Sequence, residues 1–130
     1  MEIRGLDHCV LTVEDVDRSC DFYRRVLGFE IVTFAGNRKA LLVGSQKINL
    51  HQSGSEIEPC ARNPLPGSAD LCFIADSPLS IIVEELSSAG VEVERGPVPR
   101  TGAQGPITSI YFRDPDGNLI ELGVYPVDKP

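Results

Sequence analysis

The chain has 130 residues, 42% of them hydrophobic, and a net charge of −7. That length and apolar content suit one small globular domain and exclude a disordered chain. The densest basic clusters are pairs, Arg24-Arg25 and Arg38-Lys39, which argues against nucleic-acid binding, and the longest apolar runs are of strand length, too short to span a membrane.

The first element is an apolar run, residues 6–13, read as a buried strand. Val16, Cys20, Tyr23 and Leu27 then recur at helical spacing, with Asp15 as N-cap and Gly28 as the left-handed residue that ends the helix. Residues 29–34 read as a strand, Ala35-Gly36-Asn37 as a hairpin turn, and residues 39–43 and 47–51 as two further strands. A stretch rich in Ser, Gly, Asn and Pro over 53–67 reads as a linker.

The order then repeats. A strand is expected over about 69–75. A helix follows, opened by Pro78 and running to about Ala89, with Leu79, Ile82, Val83 and Leu86 as its apolar stripe. Strands are expected at 91–95, 107–113 and 118–124, the last two joined by the turn Asp114-Pro115-Asp116-Gly117. Gly96–Gly105, with two prolines, three glycines and Arg100, reads as a substrate-contacting loop. The reading is therefore α+β. Two βαβββ modules, about 5–52 and 68–125 in a single domain, carry mixed sheets that face each other around a cleft.

The repeat also collects ligand-type side chains. His8 and Asp70 open the two modules, and His51 and Glu121 close them. Each is polar within an apolar strand, where an unpartnered charge or imidazole is costly. One divalent metal satisfies all four together. Two imidazoles and two carboxylates suit Ni, Zn, Co, Mn or Fe better than soft thiolate chemistry. Asp70 alone also reads as a cap on the turn after Gly67-Ser68. Tyr111 and Ser109 share a strand face and are candidates to line the cleft. Arg100 is a candidate for an anionic substrate, and Arg113 reads as a solvent-facing charge or an ion-pair partner of Asp114 or Asp116. Cys9, Cys20, Cys60 and Cys72 include no CxxC and read as free thiols of a reducing, cytoplasmic compartment. The opening residues Met1–Gly5 lack the pattern of a signal peptide.

Leu6-Asp7-His8, the run Asp21-Phe22-Tyr23 to Leu27-Gly28-Phe29, and Asp114-Pro115-Asp116-Gly117 through Glu121-Leu122 resemble the vicinal oxygen chelate superfamily of glyoxalases, bleomycin-resistance proteins and extradiol dioxygenases. Gly96–Ala103 resembles small glyoxalase-domain proteins that include a bacterial virulence-associated group. The resemblance implies a paired βαβββ fold, a metal in the cleft, a small-molecule substrate and a homodimer. It makes His8, His51 and Glu121 the metal ligands, with Asp70 as a shorter fourth. It also makes Glu121 the base of a glyoxalase I-like lyase or isomerase acting on a hemithioacetal-type substrate. Thr12 stands at a substrate-binding position where bacterial glyoxalase I commonly carries an Arg, and Ser55 stands where it carries an Asn, so the glutathione contacts are not matched. Two alternatives remain. One is a non-haem Fe(II) extradiol-type dioxygenase, supported by Ile110–Glu121 but lacking the signature's His upstream of Tyr111. The other is a metal-free protein that sequesters a ligand.

Overall fold

The computed structural model describes residues 1–127 and divides the chain into two compact units, Met1–Ser68 and Ala69 onward. The first unit runs β1 (His8–Val13), α1 (Val16–Leu27), β2 (Glu30–Phe34), β3 (Arg38–Val43) and β4 (Gln46–Gln52). Its sheet has the order β1-β4-β3-β2, with β1 parallel to β4 and the other pairs antiparallel.

Helix α1 begins and ends where local chemistry demands. Asp15 accepts the backbone N–H of Arg18 at 3.1 Å and satisfies an otherwise orphaned donor. At the far end Gly28 sits at φ +71°, its N–H donating to Arg24 O at 3.0 Å while Phe29 N–H reaches Tyr23 O at 3.2 Å. This explains the motif from Asp21 to Phe29 physically. Phe22 and Tyr23 are buried, Tyr23 stacks on Phe29 with ring centroids 6.0 Å apart, and Asp21 stays outside near Arg24 and Arg25. Strand alternation sends Leu11, Val13, Leu41, Ile48 and Leu50 to one face, and all are buried. Each such side chain contributes about 1.5–3 kcal/mol.

The second unit runs β5 (Asp70–Ile74), α2 (Leu79–Ser88), β6 (Arg95–Gly102), β7 (Gly105–Arg113) and β8 (Leu119–Val124), in the sheet order β5-β8-β7-β6. Again the first pairing is parallel and the rest antiparallel. Ile110, Phe112, Ile120 and Leu122 are buried on one face, as are Ile82 and Leu86 of α2. Both units are thus βαβββ modules, as the repeat predicts. Among the described residues no helix is long and apolar enough to cross a membrane.

The region 91–105 departs from expectation. Residues 91–94 form no strand, and the expected loop Gly96–Gly105 is mostly strand β6, paired with β7 down to Gly102 opposite Gly105. Only Ala103 and Gln104 remain as the turn. Two prolines made this segment read as a loop, because proline cannot donate to a ladder. Strand β6 is the edge of its sheet, where one side needs no donors, so Pro97 and Pro99 are admitted.

Candidate functional site

On the first sheet His8, Val10 and Thr12 of β1 stand opposite Lys47, Asn49 and His51 of β4, all on the face away from Leu11 and Leu50. His8 is half-exposed, and its Nδ1 lies 2.8 Å from Asp7 Oδ2. A carboxylate on Nδ1 fixes the tautomer and leaves Nε2 as the outward donor, the arrangement that metal-binding histidines use. His51 and Asn49 are both 5% exposed, and Asn49 Oδ1 has no hydrogen-bond partner. The Glu56 carboxyl, held below its ordinary range by the backbone N–H groups of Glu56 and Gly54, also feels the His51 imidazole.

The same face carries Phe34, with Lys47 Nζ 3.9 Å and Arg38 Cζ 4.8 Å from its ring centroid. By register Lys47 lies two strands over and four residues along from Phe34. On a flat sheet their Cα atoms would be roughly 16 Å apart. The contact therefore requires the sheet to be coiled, making this face concave along that diagonal.

On the second sheet one cross-strand row runs Arg95, Tyr111, Glu121, Cys72 over β6, β7, β8 and β5. Glu121 is partly exposed in a strand whose other large side chains are apolar. The Cys72 thiol is pushed up to about 11 by partial burial and then by the Glu121 carboxylate beside it. Asp70 is exposed, opposite Leu119 and therefore diagonal to Glu121. Tyr111 OH accepts Arg100 Nε–H at 2.9 Å. Ser109, on the same face as Tyr111, is fully buried, and its Oγ has no partner. Arg113 pairs with Glu94 through two bonds of 3.2 and 3.0 Å.

The register refines the relation between the modules. His8 stands opposite Lys47 and Asp70 opposite Leu119, so Lys47 and Leu119 correspond. Glu121 then corresponds to Asn49, and His51 corresponds to Gly123. His51, which closes the first module as Glu121 closes the second, thus stands one pleat beyond the position that corresponds to Glu121, on the same face. His8 and Asn49 are diagonal neighbours, about 7–8 Å between Cα atoms, as are Asp70 and Glu121. His51 lies four residues along from the position opposite His8, roughly 13 Å at strand rise. Among the described residues no three His, Cys, Asp or Glu side chains gather as a metal-holding group. Donors stand as a set on each sheet: His8 and Asn49 with His51 beyond, and Asp70, Cys72 and Glu121. Their oxygen and imidazole chemistry fits a divalent ion of the borderline class. Sequence reasoning overlooked Asn49 and Cys72. The signal for Asn49 was its polarity between Ile48 and Leu50, two residues from His51.

Comparisons with known proteins agree with this architecture. Virulence protein STM3117 of Salmonella typhimurium strain LT2 is 58% identical over 125 residues, covering 96% of this chain and 87% of that protein. Its crystal structure matches with a TM-score of 0.95 at 57% identity, over 97% of this chain and all of that one. The lactoylglutathione lyase of Agrobacterium tumefaciens matches with a TM-score of 0.72 at 25% identity, covering 95% of each chain. A mutant of the fosfomycin resistance protein FosX of Listeria monocytogenes, complexed with Mn(II) and a dihydroxypropylphosphonic acid, matches at 0.65 and 27% identity over 94% of this chain and 90% of that one. The profile of the Glyoxalase/Bleomycin resistance protein/Dioxygenase superfamily matches residues 5–122, and the chain belongs to that superfamily.

Proposed function

We propose that this protein is a divalent-metal enzyme of the glyoxalase I-like lyase or isomerase type, acting on a small substrate with oxygens on adjacent carbons. The observation that most supports this reading is Glu121, a carboxylate on an apolar strand, directly opposite the Tyr111 phenol on one side and the Cys72 thiol on the other. The first sheet would offer a divalent metal His8 and its diagonal neighbour Asn49, with His51 one pleat beyond, and the second sheet would offer Glu121 and its diagonal neighbour Asp70. When bound the metal would polarise the substrate's vicinal oxygens.

The chain's own residues supply the rest. Glu121 takes a proton from the carbon next to the substrate carbonyl and returns it to the neighbouring carbon, the work of a general base turned acid. Tyr111 orients the substrate oxygen on that row. Asp7 holds His8 in one tautomer. The lyase and FosX relatives support this class of chemistry, and the absence of an Arg at Thr12 separates the substrate from a glutathione adduct. A homodimer in the cytoplasm is part of the same reading.

The test is metal content and turnover together. Purified protein is offered Ni, Zn, Co, Mn or Fe, and then methylglyoxal with glutathione or with a small uncharged thiol. Uptake of about one metal per chain is expected, with turnover that falls at least about a hundredfold in Glu121→Gln. A wild type that takes up none of these metals sinks the proposal.

A further inference from the structure

The edge strand β6 carries a cation that the proposed chemistry does not use. Arg100 makes two hydrogen bonds, neither to a carboxylate. Its Nε–H donates to Tyr111 OH at 2.9 Å and its Nη1 to Pro99 O at 3.0 Å, with the guanidinium carbon 5.5 Å from the Tyr111 ring centroid. Here the guanidinium is held in place while its Nη2 edge, and the phenol's own proton, have no acceptor among the described residues.

A built-in irregularity puts Arg100 there. From Arg95 to Val98 β6 advances three residues, while its partner β7 advances two, from Tyr111 to Ser109. Without that bulge, alternation would turn residue 100 to the opposite face from Tyr111. With it, Arg100 stands opposite Ile107, which shares the face of Ser109, Tyr111 and Glu121. Gly96 makes the bulge possible. Its φ is +108°, and a Cβ there would lie 2.5 Å from Ser109 O. Arg95, opposite Tyr111, adds a second cation on the same face. Glu94 is neutralised by Arg113, while Glu121 and Asp70 repel an anion from the β8 and β5 side. The favourable place for negative charge is therefore the β6 side of Tyr111.

We propose that Arg100 and Tyr111, assisted by Arg95, form an anion-recognition arm, and that the substrate carries a carboxylate, phosphate or phosphonate beside its reacting carbons. The claim rests on the reading of this face as the substrate face and names the substrate class. A planar fork held at two points loses little freedom on binding, and its remaining N–H groups match an oxyanion.

The probes are inorganic phosphate and acetate, titrated into the metal-stripped full-length protein. The readout is the backbone 15N–1H signals of β6 and β7, which every variant carries, with the Arg100 Nε signal added where the arginine is kept. A saturable shift is expected with at least one of the two anions. Arg100→Ala should weaken that affinity by about tenfold or more. Arg100→Lys should be nearly as weak, because one ammonium cannot hold the phenol and an anion in the same geometry. Arg24→Ala, which removes a cation of α1 in the other unit, should leave the affinity unchanged. No saturable shift in the wild type, or equal affinity in Arg100→Ala, overturns the proposal. Glu121→Gln should lose metal and turnover while still binding the anion, so failure of the arm and failure of the enzymatic reading are separate results.

Discussion

The Asp114 carboxylate accepts the side-chain amide of Asn118 at 2.7 Å and the backbone N–H groups of Asp116 and Asn118 at 2.9 Å each. Both residues are buried. Asn118 passes the constraint on, because its Oδ1 accepts Ala69 N–H at 2.9 Å, one residue before β5, and Leu119 N–H then reaches Ala69 O at 3.1 Å. The turn sequence from Asp114 to Gly117 therefore sets the parallel pairing that brings Cys72 and Glu121 opposite each other. Asp114→Ala would leave three donors without their charged acceptor. We expect a loss of about 3 kcal/mol and a fall in Tm on the order of 10 °C in thermal unfolding. Asp114→Asn should fall between, since an amide offers one acceptor oxygen and sets its own N–H group against a donor. A Tm for Asp114→Ala within about 2 °C of wild type would show that the network does not anchor the turn.

A second prediction concerns the β2–β3 turn. Ala35 and Asn37 flank Gly36, and all three have positive φ, at 40°, 77° and 75° for Ala35, Asn37 and Gly36 respectively. Asn tolerates that region and Gly is made for it, but Ala has a Cβ that crowds its own backbone. Ala35→Gly removes that strain and also loosens the unfolded chain, two effects of opposite sign. The net expectation is a stabilisation of up to about 1 kcal/mol, read from the urea midpoint at unchanged m-value. A lower midpoint would mean that the strain at Ala35 is smaller than the entropy lost.

How much of this was legible beforehand varied with the kind of signal. Helix α1 was readable to the residue, because Asp15, the stripe at Val16, Cys20, Tyr23 and Leu27, and Gly28 all agree locally. Strand β6 was not, since its prolines argue for a loop unless the sheet order is known to put them on an edge. The face that Arg100 takes was likewise not legible, because it depends on a bulge, and bulges depend on the partner strand. The same limit explains His51 and Asn49. The order of elements gives the repeat, while register is fixed by pairing, and a two-residue difference keeps the face but moves the position by a pleat.

Thiol reactivity should report on the row that holds Glu121. The Cys72 thiol, raised to about 11 by partial burial, by the Glu121 charge and hydrogen bond, and by Asp70, stays protonated at neutral pH. Only the thiolate is alkylated. Cys72 should therefore react slowly with iodoacetamide at pH 8, despite being exposed, and speed up as pH approaches about 11. Peptide mapping after timed alkylation measures this. In Glu121→Gln the profile should move to lower pH, because the charge and the hydrogen-bonded carboxylate are gone. An unmoved profile would mean that burial alone raises the thiol.

The register also makes a prediction about metal affinity that spacing alone does not. If the first sheet contributes its diagonal pair, Asn49→Ala removes a buried carbonyl that has no other partner, next to His8. His51→Ala removes an imidazole one pleat beyond. Asn49→Ala is then expected to weaken binding of Mn or Co about tenfold or more, the scale seen when groups supporting a metal are lost. His51→Ala should weaken it less. Both substitutions fall at buried positions, so Tm without metal must be measured for each, and a drop there separates a folding defect from a ligand defect. Asn49→Asp supplies the check in the other direction. It keeps the oxygen and adds charge, so it should bind the ion at least as tightly as wild type while being less stable without it. If His51→Ala alone abolishes binding and Asn49→Ala does not, the first sheet's second donor is His51, and the correspondence of Asn49 with Glu121 is a matter of fold alone.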